Sequence, residues 1–77
     1  MKDIQVLGTG CSRCTQTLEV IEEVAAQQGV QVTLRKVEAL REIMAFRVLA
    51  TPGVVVDGQV VHAGSVPSRD LVASWLR

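Results

Sequence analysis

The strongest constraint on the fold is a strand, a helix and a second strand packed into the first half of the chain. "DIQVL" (Asp3–Leu7) alternates apolar and polar side chains and carries a β-branched residue at every second position, the pattern of a half-buried strand. "GTG" breaks it. Leu18, Ile21 and Ala25 then recur at helical spacing, and Val20 and Val24 widen the stripe. Gly29 supplies a helix stop. The spacing predicts a helix from about Cys11 or Ser12 to Gln28. "VQVTLRKV" (Val30–Val37) alternates again and reads as a second strand. Two strands joined through a helix form a parallel pair, and the crossover is right-handed.

The second half completes a small α/β layer. Leu40, Ile43 and Met44 predict a short helix from about Ala39 to Arg47. "TPGVVVDGQVVHAG" holds two apolar runs around Asp57-Gly58, a strong hairpin signal. Pro67 and Ser68 open a closing helix whose apolar face is Leu71, Val72, Trp75 and Leu76. The order is β-α-β-α-β-β-α, which gives a four-stranded mixed sheet with helices on both faces. Ile4, Val6, Leu18, Ile21, Val32, Leu34, Val54, Val56 and Leu71 are the expected core.

At 77 residues the chain is expected to be one domain, residues 1–77, and its apolar fraction of 48% supports a real core. Formal net charge is zero, with acids and bases interspersed. That argues against a nucleic-acid or membrane surface. Glu19, Glu22 and Glu23 read as a solvated helix face. No segment is apolar over the roughly 18 residues of a membrane span. "MKDIQVLG" lacks the apolar stretch of a signal peptide. The expected location is the cytoplasm, where structural disulfides are rare and paired cysteines serve metal or redox chemistry.

The cysteines are Cys11 and Cys14, the only two present, in "GTGCSRC". At this spacing they can close a disulfide, hold a metal or exchange electrons. A helix N-terminus exposes N–H groups and a partial positive charge, which stabilises a thiolate. Cys11 falls at or before the first turn and is the exposed attacker. Cys14 falls one turn further in and is the sheltered second thiol. Arg13 adds a neighbouring positive charge, weakened by screening; with Ser12 it is the expected tuner of the thiolate. The exchange that follows is attack by Cys11 on a substrate disulfide and resolution by Cys14. Structural zinc wants about four ligands, and His62 is the one histidine. It ends a strand far along the chain and reads as a packing or surface residue, so no metal site is expected.

A strand, "CSRC" opening a helix, Thr51-Pro52 ahead of a strand, and an Asp-Gly hairpin together resemble the thioredoxin–glutaredoxin superfamily. The narrower likeness is to the small bacterial and archaeal thioredoxin-like redox-active disulfide proteins, and it covers essentially the whole chain. Phe46-Arg47-Val48 fits that family's approach to its proline, with Arg47 where glycine is common. The resemblance implies a protein-disulfide reductase or electron carrier of the thioredoxin type. It has no bound cofactor beyond the redox-active Cys11–Cys14 disulfide, and a flavoprotein of the thioredoxin-reductase type recharges it. It makes Cys11 the nucleophile and Cys14 the resolving thiol. Pro52 would be a cis-proline facing them, and Thr51 would offer its backbone to a substrate peptide.

Some positions depart from the pattern. Ser12-Arg13 replaces the Gly-Pro of thioredoxins and the Pro-Tyr of glutaredoxins, and no tryptophan precedes the pair. Trp75 reads as core. Ala63-Gly64 replaces the Gly-Gly associated with glutathione binding, so glutathione is not implied as a dedicated cosubstrate. "GTGCSRCTQTLEVIEE" also resembles the loop of small copper-chaperone domains, where two thiolates hold Cu(I). Those domains usually have Met at the place of Thr9 and a strand at the place of "EALREIMAFR". They have no counterpart of "TPGVVVDG".

Overall fold

The structure, a computed structural model, describes residues 2–10 and 12–77. Its elements are β1 (Lys2–Leu7), α1 (Ser12–Gln28), β2 (Val32–Val37), α2 (Leu40–Ala45), β3 (Gly53–Val56), β4 (Gln59–Ala63) and α3 (Arg69–Trp75). The sheet order is β2-β1-β3-β4. β1 and β2 run parallel, with Lys2 opposite Val32 and Leu7 opposite Val37. β3 returns antiparallel to β1, so Gly53 faces Leu7 and Val56 faces Ile4. The expected mixed α/β sheet is therefore present.

Strand alternation sends side chains to two cores. Ile4, Val6 and Val54 join Ile21, Val24 and Ala25 of α1 and Val72 and Leu76 of the closing segment. On the opposite face Leu7, Val37 and Val55 pack with Ile43 of α2 and with Val48. Val54 and Val55 thus point to opposite cores. A bulge in the β3–β4 pairing falls between them, where Val55 faces Val60 and Val54 faces His62. Fully burying each such aliphatic side chain stabilises the fold by about 1.5–3 kcal/mol. Thr17 is the one buried polar side chain among the described residues, and its hydroxyl donates to Arg13 O at 2.8 Å.

Local chemistry fixes the element ends. Gly29 takes φ +67 after α1. Its N–H donates to Ala26 O at 3.2 Å and the Val30 N–H donates to Ala25 O at 3.0 Å, the paired bonds of a Schellman cap. That use of Val30 explains why β2 starts at Val32 rather than at Val30. Asp57 and Gly58 both have positive φ, 50° and 86°, as a tight two-residue hairpin turn requires. Asp57 also ties the turn to β1: its N–H donates to Asp3 O at 2.8 Å, and its Oδ1 accepts from the Asp3 N–H at 2.9 Å.

Ser68 caps α3, its hydroxyl accepting from the Leu71 N–H at 3.1 Å. Ser68→Ala is expected to cost about 1 kcal/mol, read as a shift in the midpoint of chemical denaturation. Ser68→Asp should keep most of the stability.

Several expectations about burial need correction. Leu71 is exposed at 36%. The buried stripe of α3 runs through Val72 and on to Leu76, and the preceding position turns about 100° away from it. Leu18, Val32, Leu34 and Val56 are only partly buried and flank the first core. Trp75 is likewise at the core's margin, its ring 6.1 Å from that of His62 at 50°. Leu40 and Met44 are exposed, at 63% and 64%. A six-residue helix lying on a sheet inserts one side chain, here Ile43. α2 also ends two residues early, because Arg47 takes φ 59 while its N–H donates to Met44 O at 2.9 Å.

That left-handed backbone carries a penalty of about 1–2 kcal/mol for a residue with a Cβ. Glycine avoids it and gives back about 0.4–1 kcal/mol through unfolded-chain entropy. Arg47→Gly is therefore expected to raise stability by about 0.5–1 kcal/mol, visible as a higher Tm.

Candidate functional site

The site forms where three segments meet at one end of the sheet. β1 ends at Leu7, and the Gly8 N–H continues the parallel ladder by donating to Val37 O at 2.9 Å. The chain then turns through exposed Thr9 and Gly10, the latter at φ +67, a conformation glycine adopts without penalty. α1 begins at Ser12. Ser12 and Arg13 are exposed, whereas Cys14 is completely buried. Cys11 lies outside the described residues, so the expected contrast in exposure has only its Cys14 side described.

Gly8 is the floor of the site. A Cβ at this position would overlap Cys14 Sγ and would lie 3.4 Å from Cys14 Cβ and 3.7 Å from Thr51 Cβ. The Cys14 sulfur therefore rests on bare backbone at the end of β1, with Thr51 against the same spot. Thr51 and Cys14, 37 positions apart in sequence, are brought together there. The Thr51–Pro52 peptide is cis, as the resemblance implies. Pro52 is fully buried, and its carbonyl accepts from the Gly64 N–H at 2.9 Å. That bond seats Gly64 beside the proline. Leu49 and Ala50, just before Thr51, are exposed.

Glu38 borders the same loop. Its Oε2 is 3.9 Å from where a Gly10 Cβ would be, and its Oε1 is 3.6 Å from Lys36 Nζ. His62 sits elsewhere: its Nε2 lies 3.0 Å from Ser65 O and 3.1 Å from Ser65 Oγ. It serves packing and local hydrogen bonding, as its place in the sequence suggests. Gly8 and Glu38 are the site residues that sequence reasoning passes over. A glycine after a strand reads as a breaker, and only the fold shows that a cysteine needs its missing side chain.

A buried cysteine at a helix start, packed on the end of a central strand with Thr51 against the same spot, on a β-α-β-α-β-β-α sheet, fits a protein of the thioredoxin class. The thioredoxin-domain family model matches residues 2–77. A thioredoxin of Methanocaldococcus jannaschii is 34% identical over 74 residues, covering 96% of this chain and 85% of the relative. A thioredoxin of Methanothermobacter thermautotrophicus is 30% identical over 76 residues, covering 99% of each chain. The chain belongs to the thioredoxin-domain family. That membership supports a function of the thiol–disulfide oxidoreductase type. Among the described residues, no helix is long and apolar enough to cross a membrane.

Proposed function

We propose that the protein is a thiol–disulfide oxidoreductase that exchanges its Cys11–Cys14 dithiol with disulfides of other proteins. The observation that carries this reading is the fully buried Cys14 sulfur, packed on Gly8 beside Thr51. A thiol so placed does not meet an external disulfide. A sheltered thiol three residues after Cys11 suits the task of a resolving thiol, which attacks within its own chain.

The exchange has two steps. The Cys11 thiolate attacks one sulfur of the substrate disulfide, forms a mixed disulfide and expels the first substrate thiolate. The Cys14 thiolate then attacks Cys11 Sγ, closes Cys11–Cys14 and expels the second substrate thiolate. Two electrons pass from protein to substrate, and the substrate thiolates take up protons according to pH. The reductant that restores the dithiol is a flavoprotein of the thioredoxin-reductase type. The helix terminus, and secondarily Arg13, favour the thiolate of Cys11. Thr51 and Pro52 form the wall along which an extended substrate backbone lies. The reaction belongs in a reducing compartment such as the cytoplasm.

Helical Leu40–Ala45, where copper-chaperone domains have a strand, supports the redox reading over metal carriage. The test is reduction of insulin disulfides with dithiothreitol as electron donor, beside an anaerobic Cu(I) titration. Accelerated insulin precipitation that depends on Cys11 is expected. Tight stoichiometric Cu(I) binding with no reductase activity would overturn the proposal in favour of a carrier.

A further inference from the structure

The charged side chains are not evenly paired. Arg35 holds Asp3 at 3.3 Å, Arg69 holds Glu23 at 2.6 Å, and Lys36 holds Glu38 at 3.6 Å. Arg13, Arg41 and Arg47 have no ion-pair partner among the described residues, and all three are exposed. The fold gathers these three at the end of the sheet that carries Cys14. Arg13 is in the first turn of α1, one position before Cys14. Arg41 is in the first turn of α2, three residues after Glu38, whose carboxylate borders Gly10. Arg47 directly precedes Val48, whose Cγ1 is 3.1 Å from where a Gly53 Cβ would be, and Gly53 pairs with Leu7.

The counter-charges at this end are few. Glu38 is neutralised by Lys36, and Glu42 stands beside Arg41. Asp57, by contrast, marks the opposite end of the sheet, at the hairpin tied to Asp3. A chain of zero formal net charge thus carries three unpaired guanidinium groups toward the end of the sheet that carries Cys14. Arg47 also keeps its guanidinium at φ 59, where glycine would sit without strain. Strain retained at an exposed position beside a reactive centre points to a function for the side chain.

We propose that Arg13, Arg41 and Arg47 select disulfides flanked by carboxylates, and that the intended occupant is an acidic segment of a protein partner. This rests on the redox reading above and names its substrate class. Exposed cations on the face where exchange takes place raise the encounter rate with an anionic partner and lose that advantage in salt.

The test uses the full chain in its reduced form and two peptides, each cyclised by one disulfide. They differ only in the residues flanking the cysteines, aspartate in one and asparagine in the other. A third substrate is glutathione disulfide, which carries carboxylates on a small molecule. The second-order rate constant for the aspartate peptide is expected to exceed that for the asparagine peptide about 5–10-fold at low salt and to approach it in about 0.5 M salt. Arg47→Gly, which relieves strain and so folds, should at least halve the ratio. Arg47→Lys should preserve it, and Arg41→Gln combined with Arg47→Gly should bring it near one.

Equal rates for the two peptides, or a ratio untouched by Arg47→Gly, would overturn this inference and leave the redox reading standing. An arginine-dependent advantage for glutathione disulfide alone would overturn the acidic-segment assignment. Failure to reduce any of the three would sink the redox reading and this inference together.

Discussion

Gly8→Ala is expected to destabilise the protein by about 3 kcal/mol, the upper part of the usual cost of overpacking a well-filled core. The added methyl would occupy the place of Cys14 Sγ, and Gly8 itself is buried. No flexible chain end is available to yield, since the sulfur is held by a helix start on one side and the end of β1 on the other. At this size each kcal/mol lowers Tm by about 4–8 °C, so the loss should be plain in thermal or guanidinium melts of the reduced protein.

A second substitution identifies the cause. Cys14→Ala removes the sulfur but leaves Cβ, which is 3.4 Å from the new methyl, an ordinary contact. The double variant should therefore be more stable than the sum of the single changes implies, by at least about 1 kcal/mol of coupling. Additive losses, or a Gly8→Ala protein as stable as its parent, would show that the sulfur is not seated on this glycine.

The second large effect concerns the division of labour between the cysteines. Cys14→Ser leaves an attacking thiol with nothing to resolve it, so covalent adducts with substrate proteins should accumulate. Cys11→Ser should trap little and lose at least about 100-fold in insulin reduction, because a hydroxyl does not supply the thiolate that exchange requires. Serine at the buried position 14 also buries a hydroxyl, which costs about 1–3 kcal/mol without a partner. Cys14→Ala should therefore trap equally well and provides the control for folding. Adducts counted on non-reducing gels measure the outcome. Equal trapping by the two single variants, or more by Cys11→Ser, would reverse the proposed roles.

The elements themselves were legible from local pattern. Alternation in Asp3–Leu7, the Leu18–Ile21–Ala25 spacing, Gly29 as a stop and Asp57-Gly58 as a turn each depend on neighbouring residues only. Such signals survive without knowledge of the rest of the chain. The cysteine pair was also legible, because its spacing and its place before a helix are sequence properties. The family's proline was found by resemblance, and the meeting of Thr51 with Cys14 over Gly8 came only with the fold.

What the sequence could not decide was which side of each short helix faces inward. α2 and α3 have six and seven residues. Over so few positions several apolar stripes fit equally well, and Leu71, expected in the core, is exposed. The packing of α3 against α1 chose Val72, and of the residues of α2 Ile43 is the buried one in the second core. The role of Gly8 was equally hidden, since its meaning lies in a sulfur six residues away that only the strand–helix geometry sets upon it. The sequence by itself determined the order of elements and the spacing of the two cysteines near the start of α1. Tertiary structure decided the floor beneath Cys14 and the meeting of Thr51 with it, because each depends on contacts between segments whose separation in sequence carries no local signal.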